Sequence, residues 1–438
     1  MKNYQPLLIL CLGYFMVIID VTAVNVAIPV IAKDMHIGLT NLEWIVDAYT
    51  LSFAALLLSV GSLSDKYGSK KIFKTGLTIF TITSFLCGIA TNFQFLIISR
   101  LLQGLGAALL VPSSISLINL SYPDKAELTK AIGVWAAIAG IAAACGPIIG
   151  AIITTIFNWR GIFFINIPFG IICYLLTNKR IMETNISIQK LKFDFIGQFL
   201  GIISIAALTY ALIEVTKLYL FFIAGFIFII SFISFIVIEY FSTSPMLPLK
   251  LFKSPNFTAS ISVGFLLNLG VYGELFLLPT YFQHIKSYSV LLSGLAISPQ
   301  MIVLALSSYL SGKSMNYLGE KKVMAVGLVI GSIGFAGLFF ATKYTLNYVF
   351  FIVPLLMIGF GAAFTMPAAT VSSIKSVPTN KTGLASAILN TTRQVGSLVG
   401  VALFGTIVLI STSFDLGIQY ASICASGIFI LGVILVRL

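Results

Sequence analysis

A duplicated signature constrains this chain more than any other feature. The first half reads Gly61-x3-Asp65-x2-Gly68-x-Lys70-Lys71, and the second reads Gly312-x3-Asn316-x2-Gly319-x-Lys321-Lys322. Gly104-x-Gly106-Ala107-Ala108-x3-Pro112 returns as Gly359-x-Gly361-Ala362-Ala363-x3-Pro367. Gly133, Gly146 and Gly150 return as Gly383, Gly396 and Gly400. Three matches in one order, at nearly one offset, mean a duplicated half. In a chain that crosses a bilayer, such a duplication points to a two-fold transporter.

The composition requires a bilayer. Of the 438 residues 58% are hydrophobic and 9% charged, against roughly a quarter charged in soluble domains, and the mean hydropathy is +1.05. Apolar runs of about 18 residues or more recur along the whole length. They predict spans at 7–30, 44–63, 73–90, 95–118, 131–156 and 162–178, then 196–213 and 219–238. Six more follow at 257–282, 291–311, 323–341, 348–370, 383–410 and 418–436. The expected fold is an all-α polytopic membrane protein of 14 transmembrane helices. Residues 1–194 form a six-helix half, 195–240 an inserted pair and 241–438 a second six-helix half. The first apolar segment carries an aspartate at mid-length and no small-residue cleavage site, so it reads as a retained span rather than a leader.

Charge sets the expected orientation. With the N-terminus inside, nineteen of the 26 basic residues fall on inner loops and tails and five on outer loops, while Arg100 and Arg393 lie within spans. This asymmetry follows the positive-inside rule and accounts for the net charge of +12 without a nucleic-acid partner. An even span count places both termini in the cytoplasm. The five cysteines lie in apolar spans without metal or disulfide spacing. The two histidines fall in outer loops and are too few for a histidine site.

Ionisable residues inside spans carry the functional argument, because a charge at a helix centre costs at least about 2.5–3.5 kcal/mol without a partner or wet cavity. The candidates are Asp20 in the first span, Asp47 near the outer start of the second, Arg100 in the fourth, Glu274 in the span at 257–282 and Arg393 in that at 383–410. At a rise of about 1.5 Å per residue, Asp20 lies roughly 20 Å from the inner end of its helix and Glu274 roughly 25 Å. Asp47 is expected a turn below the outer surface. A carboxylate in a low-dielectric cavity can exchange a proton near neutral pH and can attract an organic cation. Asp20, Asp47 and Glu274 are therefore the proton- and substrate-binding candidates. A structural alternative pairs Asp20 with Asn25 or with a neighbouring helix, and a helix-dipole position alone would explain Asp47.

The glycine-rich segments suggest moving parts. Gly61 and Gly68 allow a tight cytoplasmic turn, in which Asp65 can pair with another helix end while Lys66, Lys70 and Lys71 hold the inner face. Gly140, Gly146, Pro147 and Gly150 form a small-residue stripe with a proline hinge. The copies are not equivalent in charge. Asn316 stands where the first half has Asp65, and Leu355 aligns with Arg100.

These residues resemble the major facilitator superfamily and, within it, the fourteen-span drug:proton antiporters. Asp20-x-Thr22-x2-Asn25-Val26-Ala27-x-Pro29 resembles that family's first-span signature, and Trp44-Ile45-Val46-Asp47-x-Tyr49-x-Leu51 the second-span start of its quaternary-ammonium and dye exporters. The segment from Gly61 to Lys71 resembles the superfamily loop signature. Arg100-x2-Gln103-Gly104-x-Gly106-Ala107 is similar to a proton-linked fourth-span motif, which implies coupling roles for Arg100 and Gln103. The fifth-span stripe resembles one associated with antiporters, and Trp159-Arg160-x2-Phe163-x2-Asn166-x-Pro168-x-Gly170 extends the likeness. Ser69 replaces a usual basic residue, and Ala151 a frequent glycine.

The resemblance implies a proton-coupled antiporter that exports small hydrophobic, chiefly cationic molecules from the cytoplasm or inner leaflet of a bacterial cytoplasmic membrane. No cofactor beyond the proton gradient is expected, and the chain is expected to act as a monomer in the lipid bilayer. A second expectation keeps the scaffold but takes a tetracycline-type metal chelate, a siderophore or another anionic metabolite. No HExxH-like, histidine-rich or catalytic cysteine pattern favours a membrane enzyme, and a passive channel has no use for two titratable rocking halves.

Overall fold

A computed structural model describes residues 4–122, 124–182, 194–242, 245–344, 347–378 and 381–437. All regular structure among them is helical: α1 Gln5–Met35, α2 Leu39–Tyr67, α3 Ser69–Gly88, α4 Phe93–Ser121, α5 Lys125–Phe157, α6 Arg160–Phe164 and α7 Asn166–Arg180. There follow α8 Phe195–Ile213, α9 Leu218–Phe241, α10 Pro255–His284, α11 Val290–Lys343, α12 Val349–Lys375, α13 Thr382–Ile410 and α14 Phe414–Arg437. Local chemistry sets several starts. Asn92 caps α4 by accepting from the Phe95 N–H at 2.9 Å. Ser254 precedes Pro255 at the first position of α10, where the missing N–H has no helical partner to lose.

Eleven helices among the described residues are long and apolar enough to cross a membrane, α6 and α7 together counting as one. The chain is thus a multi-pass membrane protein. Helix α3 falls outside that set because of its polar start, which opens on Ser69-Lys70-Lys71 with Lys74 one turn on. Conversely α11 is one 54-residue element containing two of the expected spans.

The turn inside α11 is the duplicated glycine. Gly319 has φ 75° and Gly68 φ 87°, and these are the glycines with positive φ among the described residues. A single residue in this region, which side chains strongly disfavour, reverses the chain between α2 and α3 and again within α11. The expected turn spanning Gly61 to Gly68 is therefore corrected: α2 continues through Gly61 to Tyr67, and Gly68 makes the turn alone. The surroundings of Gly61 and the side chain of Asp65 lie outside the described residues.

Two compact units result, residues 1–37 with 44–198, and residues 38–43 with 199–438. In the first, α1 packs on α5 and α7, and α3 on α4 and α7. In the second, α10 packs on α13 and α14, and α11 on α12 and α14, repeating the same scheme. Close backbone approach explains why glycines recur at these crossings. A Cβ on Gly106 would lie 2.6 Å from the Phe80 nitrogen, and one on Gly361 2.6 Å from the Gly327 oxygen. Gly150 presses on Ala23 as Gly400 presses on Leu269. The third glycine set divides, however. Gly133, Gly140 and Gly383 have open space where a Cβ would stand, so the expected stripe contracts to Gly146 and Gly150. Pro147 lies within α5, which stays helical from Lys125 to Phe157.

Candidate functional site

The middle of the first unit holds a charged network cut off from solvent. Asp20 sits at the midpoint of α1 and is 0% exposed, and Arg100, on the second turn of α4, is 1% exposed. Arg100 Nη1 donates to Asp20 Oδ2 at 2.5 Å. The other carboxylate oxygen, Oδ1, accepts from Gln103 Nε2 at 2.9 Å and from Asn166 Nδ2 at 3.0 Å. Both amides also reach Ser84 Oγ on α3, at 2.8 Å and 3.3 Å. Four helical elements thus converge on one carboxylate.

Arg100 is held independently of that carboxylate. Its Nε donates to the Ile45 carbonyl at 3.0 Å, and Nη1 to Gln103 Oε1 at 2.7 Å. Its guanidinium lies 4.4 Å from the centre of the Tyr49 ring and 5.7 Å from that of Phe163, in range of cation–π attraction. Gly104 makes room for this side of α2, since any Cβ there would strike the Tyr49 carbonyl and Ser52. A planar five-donor fork suits such multiple anchoring better than an ammonium does. Arg100 is therefore tied to α2 and α4 through bonds that do not involve Asp20.

Charges inside apolar spans brought Asp20 and Arg100 forward and the family resemblance added Gln103, and the structure joins the three. Of the structural alternatives for Asp20, Asn25 is buried elsewhere with no hydrogen-bond partner for its Oδ1 among the described residues, and neighbouring helices supply the partners instead. Asn166 takes that place. It was visible in the Trp159–Gly170 run, whose parts now separate: Phe163 faces Arg100, Asn166 binds Asp20, and Gly170 packs on Thr81. Trp159 Nε1 and Arg160 Nη1 both donate to Asp34 Oδ2, at 2.9 Å and 2.8 Å, tying α6 to the end of α1. Asp34 carries no sequence signal because it lies beyond the predicted first span.

Asp47, expected a turn below the outer surface, is buried within the protein. Helix α2 begins at Leu39, so Asp47 lies two turns in, 0% exposed, with neither carboxylate oxygen hydrogen-bonded among the described residues. Glu274 occupies the second unit, on α10. Its Oε2 accepts from Gln300 Nε2 at 2.9 Å, while Oε1 has no partner among the described residues. Beside it is a cavity of about 10 Å³, bounded by Leu278, Phe335, Phe404 and Ser422, with room for about one water. Another buried carboxylate, Glu43, packs on Gly405 within the second unit. It stands one residue before the predicted second span, where depth in the bilayer gives no reason to single it out.

The remaining candidates are peripheral to these groups. Arg393 Nη1 reaches Asn390, one turn away on the same helix, at 3.2 Å, and Nε is buried without a partner among the described residues, so no tie to another helix forms through it. Lys66 is exposed, over the Tyr67 ring at 5.1 Å. Gly146 packs directly on Thr22, close along α1 to Asp20, so the antiporter-like stripe and the charged network meet the same stretch of that helix. Ser69, the departure from the loop signature, hydrogen-bonds Ser116 of α4 at 2.7 Å.

Comparison with known proteins agrees with this architecture. A solved structure of the nucleoside transporter NupG, in a point-mutant form, superposes with a TM-score of 0.70, covering 100% of this chain and 99% of that one at 12% identity, a likeness of fold alone. The methylenomycin A resistance protein of Bacillus subtilis (strain 168) is 33% identical over 439 residues, 99% of this chain and 93% of that protein. The multidrug resistance protein Stp of Mycobacterium tuberculosis is 31% identical, with 90% and 74% coverage, and the riboflavin transporter RibZ of Clostridioides difficile (strain 630) 32%, with 94% and 90%. Residues 10–401 match the family described as Major Facilitator Superfamily, and with relatives of this similarity across nearly its whole length the chain belongs to that family.

Proposed function

We propose that this protein is a proton-coupled antiporter exporting small hydrophobic, preferentially cationic compounds across a bacterial cytoplasmic membrane. It does so with fourteen spans, both termini in the cytoplasm, as a monomer, and with no cofactor or catalytic reaction. Export of toxic compounds is supported by the resistance and efflux roles carried in the names of relatives that match most of this chain.

Proton coupling rests on one observation, the buried Asp20–Arg100 pair with its asymmetric anchoring. A proton on Asp20 removes the charge that balances Arg100. The guanidinium keeps its bonds to Ile45 and Gln103, so the interface that weakens is the one between α1 and the α2–α4 pair. Gly146 and Gly150 set α5 against the same stretch of α1, at Thr22 and Ala23, where a contact with little side-chain obstruction can slide. Titration of one carboxylate then biases two packings of α1, the requirement for coupling a proton to alternating access. Asp47 and Glu274, each with carboxylate oxygens lacking partners among the described residues, are the groups we assign to cation binding.

Everted vesicles with an imposed proton gradient test this reading. Addition of a transported dye or biocide should dissipate the gradient, and Asp20→Asn should abolish the response at unchanged membrane abundance. A wild-type protein silent to a broad panel of cationic compounds, yet dissipating the gradient with a neutral or anionic one, would establish the second reading. The RibZ relative favours that reading, because its name specifies a riboflavin transporter.

A further inference from the structure

The first unit carries a groove outside the charged network, between α3 and α7, with a volume of about 290 Å³. Leu77, Thr78, Ile82, Ile171, Tyr174 and Leu175 line it. Three of its apolar side chains are about half exposed: Ile82 55%, Ile171 51% and Leu175 54%. One end is shut where Gly170 lets α7 close onto Thr81. Toward the other end, Lys74 Nζ lies 4.9 Å from the centre of the Tyr174 ring and donates to Asn178 Oδ1 at 2.8 Å. Lys70 Nζ donates to the Asn178 carbonyl at 3.4 Å.

Two ammonium groups one helical turn apart thus meet at one neutral residue, and among the described residues neither is matched by a carboxylate. Like charges spaced i,i+4 repel, so the arrangement invites an anion. Lys71, Lys179 and Arg180 lie on the adjoining helix ends and add to the positive field. From Lys74 to Ile82 the groove follows eight residues of α3, about 12 Å, within the roughly 15 Å half-thickness of a bilayer's hydrocarbon core. By the positive-inside rule the lysine end faces the cytoplasmic leaflet, where anionic lipids gather.

We infer that the α3–α7 groove is a binding site for an anionic glycerophospholipid of the cytoplasmic leaflet, with one acyl chain in the groove and the phosphate on Lys70 and Lys74. An acyl chain fits an apolar channel open along one side and closed at depth. A phosphate fits two convergent ammoniums with no competing carboxylate among the described residues. Helix α3 presents Ser84 to the charged network and α7 presents Asn166, so the lipid braces the two helices that support Asp20 from behind.

Native mass spectrometry of the purified full-length protein tests the site, using palmitoyl-oleoyl phosphatidylglycerol and the matching phosphatidylcholine as probes. Each lysine near an anionic headgroup contributes about fivefold in affinity, so the wild type should hold phosphatidylglycerol more than tenfold better than phosphatidylcholine. Lys70→Gln/Lys74→Gln should erase the preference, and Lys74→Arg should keep it. Leu175→Trp, which fills the groove and leaves the lysines in place, should weaken retention of both lipids. Equal retention of the two lipids by the wild type overturns the proposal. So does a preference that survives the double lysine variant, or a Leu175→Trp protein that binds both lipids as the wild type does.

Discussion

Asp20→Asn separates a coupling role for the buried pair from a structural one. The substitution preserves shape but removes the negative charge, leaving Arg100, 1% exposed, with no counter-charge. It also replaces one of the two oxygens that accept from Arg100, Gln103 and Asn166 with a donor. Removing one partner of a buried ion pair costs about 3–5 kcal/mol, roughly two to three and a half powers of ten in an unfolding equilibrium. A protein lacking both charges, Asp20→Asn/Arg100→Gln, escapes most of that penalty because no isolated charge stays buried. Thermal unfolding in detergent should therefore rank wild type and double variant close together and Asp20→Asn well below them, with a coupling energy of about 3 kcal/mol in the mutant cycle. Proton-driven dye export in everted vesicles should be lost in both variants. A double variant that still exports against a proton gradient would refute the coupling role. Additive stability effects in the cycle would refute the ion-pair reasoning itself.

The other predictions use local geometry. Glu274→Gln keeps the contact available to Gln300 while removing a buried charge, so stability should hold or rise; export of cationic dyes should fall at least tenfold by vesicle assay, whereas a neutral substrate should be spared. Gly150→Ala forces a Cβ to 2.7 Å from Ala23 and should cost about 1–3 kcal/mol in thermal unfolding, whereas Gly140→Ala, with open space around it, should be neutral or slightly stabilising. Gly68→Ala and Gly319→Ala should each cost about 1–2 kcal/mol from φ strain, and Gly319 isolates that effect because its Cβ would meet nothing within 4 Å. Asn166→Ala removes one of the two amide donors to Asp20 Oδ1; it should shift the pH profile of export with smaller loss of stability than Asp20→Asn, read by dye efflux across external pH values.

The pattern of apolar runs and the doubled glycine signature were enough to specify a duplicated helical membrane protein, because a bilayer leaves each backbone polar group to be satisfied within its own helix. The pairing of Gly68 with Gly319 was also legible, since a reversal at positive φ selects glycine over other residues. Spacing exposed Asp20 and Arg100 as charges out of place, and Leu355, which aligns with Arg100 in the second copy, is buried. Partnership was another matter. Asn25 was a candidate partner for Asp20 by proximity in sequence, but residues five apart on a helix point in different directions, and Asn166 arrives from α7 by tertiary packing alone. Asp34 and Glu43 were missed for a related reason. Helices extend beyond their apolar cores, so residues just outside the hydropathy windows still become buried or bridged. Of the expected glycine stripe, packing retains Gly146 and Gly150 and leaves Gly140 open, a distinction that one helix cannot encode without the neighbour it meets. Sequence determined which charged residues could not face lipid and needed a partner or a wet cavity; tertiary structure decided which of them meet, because contacts between helices depend on crossing points that hydrophobic periodicity does not contain.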